Sequence, residues 1–331
     1  ARSHRRDMKP IIYLRGNGGA GIGWGHISRL LALREILKPE FAVIMAVPLA
    51  SIPLLQRAGL SASDFLQVPE SDNPDFAGAY CFGNILVLDG YTFDAAYRES
   101  AMKAGFRLVL IDDFAHGDLR CDLLINHAPA SETLYGRHTE IGRCCCGTDY
   151  AMLRQEFYGP LPEYPRDANT VLVSMGGADP ADLSFSLLNE LISSFPELKW
   201  HLVITSSFSE EHIRKLQLLQ IANPGIALHR DLDVHAMRML MLRCQWAILA
   251  SSTVVMEAWA SGLYPAALCY TDNQLNLFRG AIARNMAFGF DIREISASFR
   301  AYLSGLHKPL TRYPEWNPPE KLRIEFRALA A

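Results

Sequence analysis

The stretch Pro10-Ile11-Ile12-Tyr13-Leu14-Arg15-Gly16-Asn17-Gly18-Gly19-Ala20-Gly21-Ile22-Gly23-Trp24-Gly25-His26 decides the fold class. Residues 10–15 are an apolar run of strand length, the glycines after them make a loop, and 26–37 are amphipathic with helical period. Strand, glycine loop and helix in that order open a unit whose next strand lies parallel to the first. The alternation repeats. Apolar strands are expected at 41–47, 85–88, 107–111 and 123–126, with a helix at 94–104. Residues 155–169 change texture: Gly159, Pro160, Pro162 and Pro165 fall where apolar period is lost, which reads as a linker. Beyond it, strands are expected at 170–175, 199–204, 226–229, 246–250 and 266–270. Helices are expected at 184–195, 210–219, 234–243, 253–261 and 273–284. The fold class is therefore α/β, with two doubly wound Rossmann-like domains at 8–155 and 169–310. A C-terminal segment, 311–331, follows, with a final helix expected after Pro318-Pro319 that could pack anywhere, including back on the first domain.

Composition bounds the function. The chain has 331 residues, half of them hydrophobic and a fifth charged, with a formal net charge of −3. That length buries a substantial core without metal or disulfide staples, and the composition excludes a disordered or collagen-like chain. The weakly acidic balance argues against nucleic-acid binding, which calls for a basic stripe. No run of about 18 apolar residues is present, so membrane insertion is not expected. Seven cysteines without a CxxC spacing, and no secretory signal, point to a reducing cytoplasm. Cys144-Cys145-Cys146 would alternate between the two faces of a strand, a poor metal geometry. They read as buried strand thiols, and neither metal nor cofactor is expected. Residues 1–7, polar and basic ahead of Met8, read as a leader or remnant and are set aside.

The chemistry falls in the loops, which in two parallel sheets gather at the carboxyl ends of the strands, facing a cleft. Gly16, Gly18 and Gly21 satisfy G-x-G-x-x-G, but the second strand ends Ala46-Val47-Pro48-Leu49-Ala50 without the ribose-binding acid of a dinucleotide site. His26 stands where the loop meets its helix. The helix dipole there favours neutral imidazole, which suits a general base; packing or capping is the alternative. The loop Ser174 to Pro180 lets a ligand approach the backbone of Gly176 and Gly177. Ala250-Ser251-Ser252-Thr253 runs from a strand into a helix and offers N–H groups to phosphate, with Glu257 one turn on for a ribose; the alternative is capping by Ser252. Asn273 and Gln274 follow the next strand and can orient water or a sugar hydroxyl. In the first domain Asp89, Tyr91 and the Asp112-Asp113 pair occupy the same edge. The acidic pair reads as turn and cap residues.

Together these segments resemble a known family. Leu14-Arg15-Gly16-Asn17, Ile22-Gly23-Trp24-Gly25-His26-Ile27-Ser28-Arg29, Asp89-Gly90-Tyr91, Val109 to Asp113, Cys121 to Leu124, Gly147 to Phe157, Val173 to Pro180, Ser252 to Glu257 and Asn273-Gln274 are similar to the UDP-sugar hydrolases of pseudaminic-acid biosynthesis. The likeness covers nearly the whole chain in the family's order. It implies a GT-B architecture and hydrolysis of UDP-2,4-diacetamido-2,4,6-trideoxy-β-L-altropyranose to free sugar and UDP, a route tied to flagellin glycosylation. It further implies water attack at the anomeric carbon, C–O cleavage, inversion, and no metal. His26 matches the catalytic histidine and Asn273 the residue that positions water or sugar. Gly177, Leu232, Ser252, Thr253 and Glu257 match the nucleotide site, with Leu232 where a backbone edge reads uracil. Arg15, Asn17, Gly25, Asp89, Tyr91 and Gln274 are assigned to the sugar. Asn17 stands where Asp is common, Gly90 where His is common, and Leu30 where Cys is frequent. The expected partner is a nucleotide sugar alone, with the protein acting as a monomer. Two other functions fit the same pattern: a GT-B glycosyltransferase with an acceptor in place of water, and a non-catalytic binding protein. The transferase would favour a basic membrane-facing patch, yet helix 26–37 carries only Arg29, Arg34 and Glu35 as charges.

Overall fold

The computed structural model describes residues 10–18, 24–69, 82–177, 179, 181–305, 312 and 315–331. Residues 1–7 and the loop glycines Gly19, Gly21 and Gly23 lie outside the described residues. The chain divides into two compact units, Ala1–Met152 with Asn317–Ala331, and Leu153–Trp316.

The first unit is built on a seven-stranded sheet. Its strands are β1 (Ile12–Gly16), β2 (Val43–Val47), β3 (Phe65–Gln67), β4 (Ile85–Asp89), β5 (Arg107–Ile111), β6 (Cys121–Asn126) and β7 (Ile141–Cys146), in the order β3-β2-β1-β4-β5-β6-β7. Every neighbouring pair is parallel. The sequence explains the burial: β1, β4 and β5 are continuous apolar runs because helices cover both faces of such a sheet. The helices α1 (Gly25–Leu37), α2 (Ile52–Arg57) and α3 (Ala95–Lys103) follow β1, β2 and β4. Tyr13, Leu86, Leu108 and Leu124 fill one core with Phe93 and Phe106.

The second unit repeats the plan. β8 (Asp167–Ser174), β9 (Lys199–Ile204), β10 (Ile226–Arg230), β11 (Cys244–Ala250), β12 (Ala266–Leu268) and β13 (Phe288–Gly289) form a parallel sheet in the order β10-β9-β8-β11-β12-β13. Between them run α4 (Leu183–Ser194), α5 (Glu210–Ala222), α6 (Val234–Arg243), α7 (Thr253–Ala260), α8 (Leu275–Ala283) and, after β13, α9 (Ile295–Ser304). Trp200, Phe299 and Tyr302 anchor its core.

The C-terminal helix, α10 (Pro318–Ala330), belongs to the first unit. Its Leu322 and Phe326 are fully buried, worth about 1.5–3 kcal/mol each in apolar burial. Charges fix its register. Arg327 reaches Glu40 at 2.6 Å and Arg143 reaches Glu325 at 2.7 Å.

Both sheets reverse their strand order once, between β1 and β4 in the first and between β8 and β11 in the second. In open α/β sheets the crevice at that reversal, outside the carboxyl ends of the strands, is where ligands bind.

The cysteine run departs from expectation. Cys145 is buried, but Cys144 is exposed and Cys146 only half-buried, because β7 is an edge strand and one of its faces is left open.

Candidate active site

At the reversal of the first sheet, α1 starts nine residues after β1 ends, and its second residue is His26. The His26 Nδ1 lies 2.7 Å from Oδ1 of Asp89, the last residue of β4. The side chain is therefore not a cap. The bond to a carboxylate places the proton on Nδ1 and leaves Nε2 as the lone-pair nitrogen.

Asp89 is fully buried and carries a second burden. Arg29, one turn along α1 from His26, donates to it through Nε at 2.7 Å and Nη2 at 2.6 Å. The same guanidinium donates to Asp113 through Nη1 at 2.7 Å and Nη2 at 3.1 Å. Asp113 in turn accepts from the Tyr91 hydroxyl at 3.0 Å, and the Tyr91 ring stands edge-on to His26 with centroids 4.7 Å apart. The five side chains close a ring. Burial pushes both carboxyls up, but Arg29 outweighs it: Asp113 is lowered to about 2 and Asp89 lies below the usual carboxylate range. Arg29, against its own burial, is held well above its ordinary value by Asp113 and Asp89. One cation thus serves two ionised carboxylates.

The acidic pair splits. Asp112 behaves as a turn residue, accepting from the Ala115 N–H at 2.7 Å and from Tyr135, while Asp113 belongs to the ring. Sequence reading missed Arg29, a member of the ring, and His127, which lies close enough to Arg29, Asp113 and Asp89 to feel their charges. A signal for Arg29 existed, since residues three apart on a helix share a face and His26 already pointed at the sheet edge. His127 follows β6 and is 2 % exposed. Its Nδ1 accepts the Met152 N–H at 3.2 Å, and burial, helped by Arg29, pulls it down to about 4. It is a neutral histidine.

Of the residues assigned to the sugar, Arg15, Asn17, Gly25, Asp89 and Tyr91 belong to this edge of the first unit, while Gln274 lies in the second unit. Arg15, at 0 % exposure, donates to the carbonyls of Gly16 and Pro69 and to Asn17 Oδ1, and lies over the Phe93 ring. Asn17 Nδ2 donates to Thr92 at 3.1 Å. A Cβ at Gly25 would meet no atom within 4 Å among the described residues. Phe93 explains Gly90, because a Cβ at 90 would come 3.1 Å from that ring. Leu30 is fully buried against Gly16.

At the reversal of the second sheet two loops meet the carboxyl ends of β8 and β11. Gly176 has φ +83, a conformation that favours glycine. The Gly177 carbonyl accepts from the Thr205 hydroxyl, and Tyr270 donates to the Met175 carbonyl at 2.8 Å. Ser252 precedes α7 but makes no side-chain capping bond, so the capping alternative is not what the structure has. The Ser251 hydroxyl beside it is buried without a hydrogen-bond partner among the described residues. An uncapped helix start and an orphaned hydroxyl form an anion-binding arrangement. Thr253 opens α7, and Glu257, one turn in, is 5 % exposed. Arg154 clasps Glu257 with Nε to Oε1 and Nη2 to Oε2, each at 2.8 Å. Leu232 lies in the loop after β10, half-buried beside Asp231 at φ +50. Gln274 is buried and accepts the Tyr270 N–H at 3.1 Å, while Asn273 is exposed and accepts from Thr271 at 2.7 Å.

With this geometry described, known proteins can be compared. No family model matches the chain. It is 26% identical over 277 residues to the UDP-2,4-diacetamido-2,4,6-trideoxy-beta-L-altropyranose hydrolase of Campylobacter jejuni, covering 80% of this chain and 93% of that one. The chain resembles a UDP-sugar hydrolase. Among solved structures it is similar to the Staphylococcus aureus MnaA–UDP complex, with TM-score 0.67, 12% identity and 98% of each chain covered. It is also similar to the UDP-GlcNAc 2-epimerase of Neisseria meningitidis bound to UDP-GlcNAc, with TM-score 0.64, 10% identity, and 96% and 100% covered. Acinetobacter baumannii MurG gives TM-score 0.55 at 11% identity, over 89% and 91%. These likenesses show the fold, which is of GT-B class with two doubly wound α/β domains. No helix among the described residues is long and apolar enough to cross a membrane.

Proposed function

We propose that this protein is a nucleotide-sugar hydrolase that releases UDP and a free diacetamido-trideoxy sugar by water attack at the anomeric carbon, with inversion. The observation that carries the reading is the His26–Asp89 pair at the strand-order reversal of the first sheet. Hydrolysis needs a general base beside the reacting carbon, and a histidine oriented by a buried carboxylate can serve as one. Nε2 takes a proton from water as the water oxygen bonds to the anomeric carbon. The C–O bond to the diphosphate breaks, its electron pair leaves with UDP, and Asp89 stabilises the imidazolium. Asn273 is assigned to positioning water or sugar, and Arg15, Asn17, Gly25, Tyr91 and Gln274 to the sugar. The nucleotide is assigned to the second unit: phosphates on Gly177, Ser252 and Thr253, ribose on Glu257, and base on the backbone at Leu232. The 26% identity to a UDP-sugar hydrolase over most of both chains supports this assignment.

The test is direct. The purified protein is incubated with a panel of nucleotide sugars, without acceptor and with a chelator present. Release of UDP from a diacetamido-trideoxy sugar is expected. Release only after a sugar or lipid acceptor is added would make the protein a transferase, and tight binding without release would make it a non-catalytic binder. Turnover abolished by chelator and restored by Mg²⁺ or Mn²⁺ would contradict metal-independent hydrolysis.

A further inference from the structure

The ring around His26 contains two groups that the hydrolytic reading leaves without a task. Arg29 divides its donors between Asp89 and Asp113, with bonds of 2.6–3.1 Å to both. Neither carboxylate has the guanidinium to itself. With both acids ionised the three groups carry one net negative charge, and that charge lies against His26 through Asp89. If Asp113 were neutral, Arg29 would be spent wholly on Asp89 and the net charge would vanish.

We infer that Asp113, acting through Arg29, sets the pH at which His26 becomes available as a base, and that Arg29 and Asp113 are positioning residues of the reaction. The groups around the imidazole are Arg29 from its own helix, Asp89 from β4, Tyr91 from the loop after it and Asp113 from the loop after β5, with His127, from the loop after β6, set against Arg29 and the two carboxylates. Two of them carry negative charge, one positive, and two none at neutral pH. Charge at the far side of the ring reaches His26 with little water between, because Asp89 is fully buried and Arg29 and His26 are each 8 % exposed. Over a separation of about 8 Å at an effective dielectric constant of about 20, one unit charge amounts to about one and a half pH units.

The inference rests on His26 acting as the base, so its test reads the imidazole without needing turnover. His26 ring signals are followed by NMR against pH in the ligand-free protein, with His26→Asn giving the assignment, and kcat is measured over the same range. Asp113→Asn should move the midpoint of the His26 titration, and the acid limb of kcat with it, down by about one and a half pH units. Arg29→Gln should move both upward, because two carboxylates then face the imidazole without a cation. Tyr91→Phe opens the ring without changing its charge and should leave the midpoint in place. If Arg29→Gln does not fold, the contrast between Asp113→Asn and Tyr91→Phe still decides. Equal displacement in those two variants, or none in Asp113→Asn, overturns the inference. A displaced NMR midpoint in a protein that hydrolyses no UDP-sugar would uphold the electrostatic coupling and overturn the hydrolase reading instead.

Discussion

Asp89→Asn is the most informative single change at the site. The carboxylate Oδ1 stands 2.7 Å from His26 Nδ1, so the centres of charge are about 4 Å apart once the imidazole is protonated. At an effective dielectric constant of about 20, that attraction is about 4 kcal/mol, or about 10³-fold in rate when it is made only in the transition state. Arg29 already draws on the same carboxylate through two bonds, so the expected fall in kcat lies between about 10² and 10³. His26→Asn sets the floor, with a loss of about 10²–10⁴ for removal of the base itself. Both variants should bind UDP like the parent, since the nucleotide is assigned to the other unit. Removing one member of a buried charged set also costs about 3–5 kcal/mol of stability, so a thermal melt and a UDP titration accompany the kinetics. An Asp89→Asn protein that is folded, binds UDP normally and turns over within about threefold of the parent would refute the dyad, because no geometry of the pair allows Asp89 to be bonded to the base and irrelevant to it.

Two further outcomes follow from residues that are less exposed than their sequence context suggests. Glu257→Gln should raise KM and the inhibition constant for UDP by about 1–3 kcal/mol, with kcat little changed, since a ribose contact is present in ground and transition states alike. Arg154→Ala separates the roles: if it reproduces that loss in full, Glu257 serves only to hold Arg154. His127, lowered by burial to about 4 from 6.5, is neutral when folded but binds a proton below 6.5 when unfolded. Its contribution is complete above pH 6.5 and lost as pH falls toward 4, reaching about 3 kcal/mol. His127→Gln should flatten the urea-derived stability profile between those values. Parallel profiles for variant and parent would mean that His127 titrates alike in both states.

The sheets were legible because buried parallel strands are mostly apolar, and the runs within 85–88, 107–111, 199–204 and 246–250 stand out against polar helices. The elements that escaped are those whose signal is weak for a physical reason. β3 and β13 have three and two residues, too short for alternation to register. α2 has six, and only Leu55 is buried. In α9 the buried residues are Phe299 and Tyr302, a narrow stripe among serines and alanines. The placement of α10 could not be read from its own sequence, because its Phe326 and Leu322 would suit any apolar face. What places it in the first unit is charge: Glu40 beyond α1 takes Arg327, and Arg143 on β7 takes Glu325.

The site shows a different limit. His26, Asp89 and Tyr91 could be picked out one by one, since each ends or follows a strand where ligand loops collect. What the sequence does not contain is which of them touch, and the touching changes what they do. Asp113 read as a turn acid by the same rule that correctly described Asp112. Their backbones occupy the same loop, and their partners distinguish them: Arg29 and Tyr91 reach Asp113, while Ala115 N–H and Tyr135 hold Asp112. Glu257 shows the converse, since its position one turn into α7 suits a ribose, yet both of its oxygens already accept from Arg154. Ionised oxygens keep further lone pairs, so a ribose contact remains chemically open to it. The clasp then has its own consequence: Arg154 holds the carboxylate in one orientation before any nucleotide arrives, and a preorganised acceptor loses less on binding than one that must first be ordered.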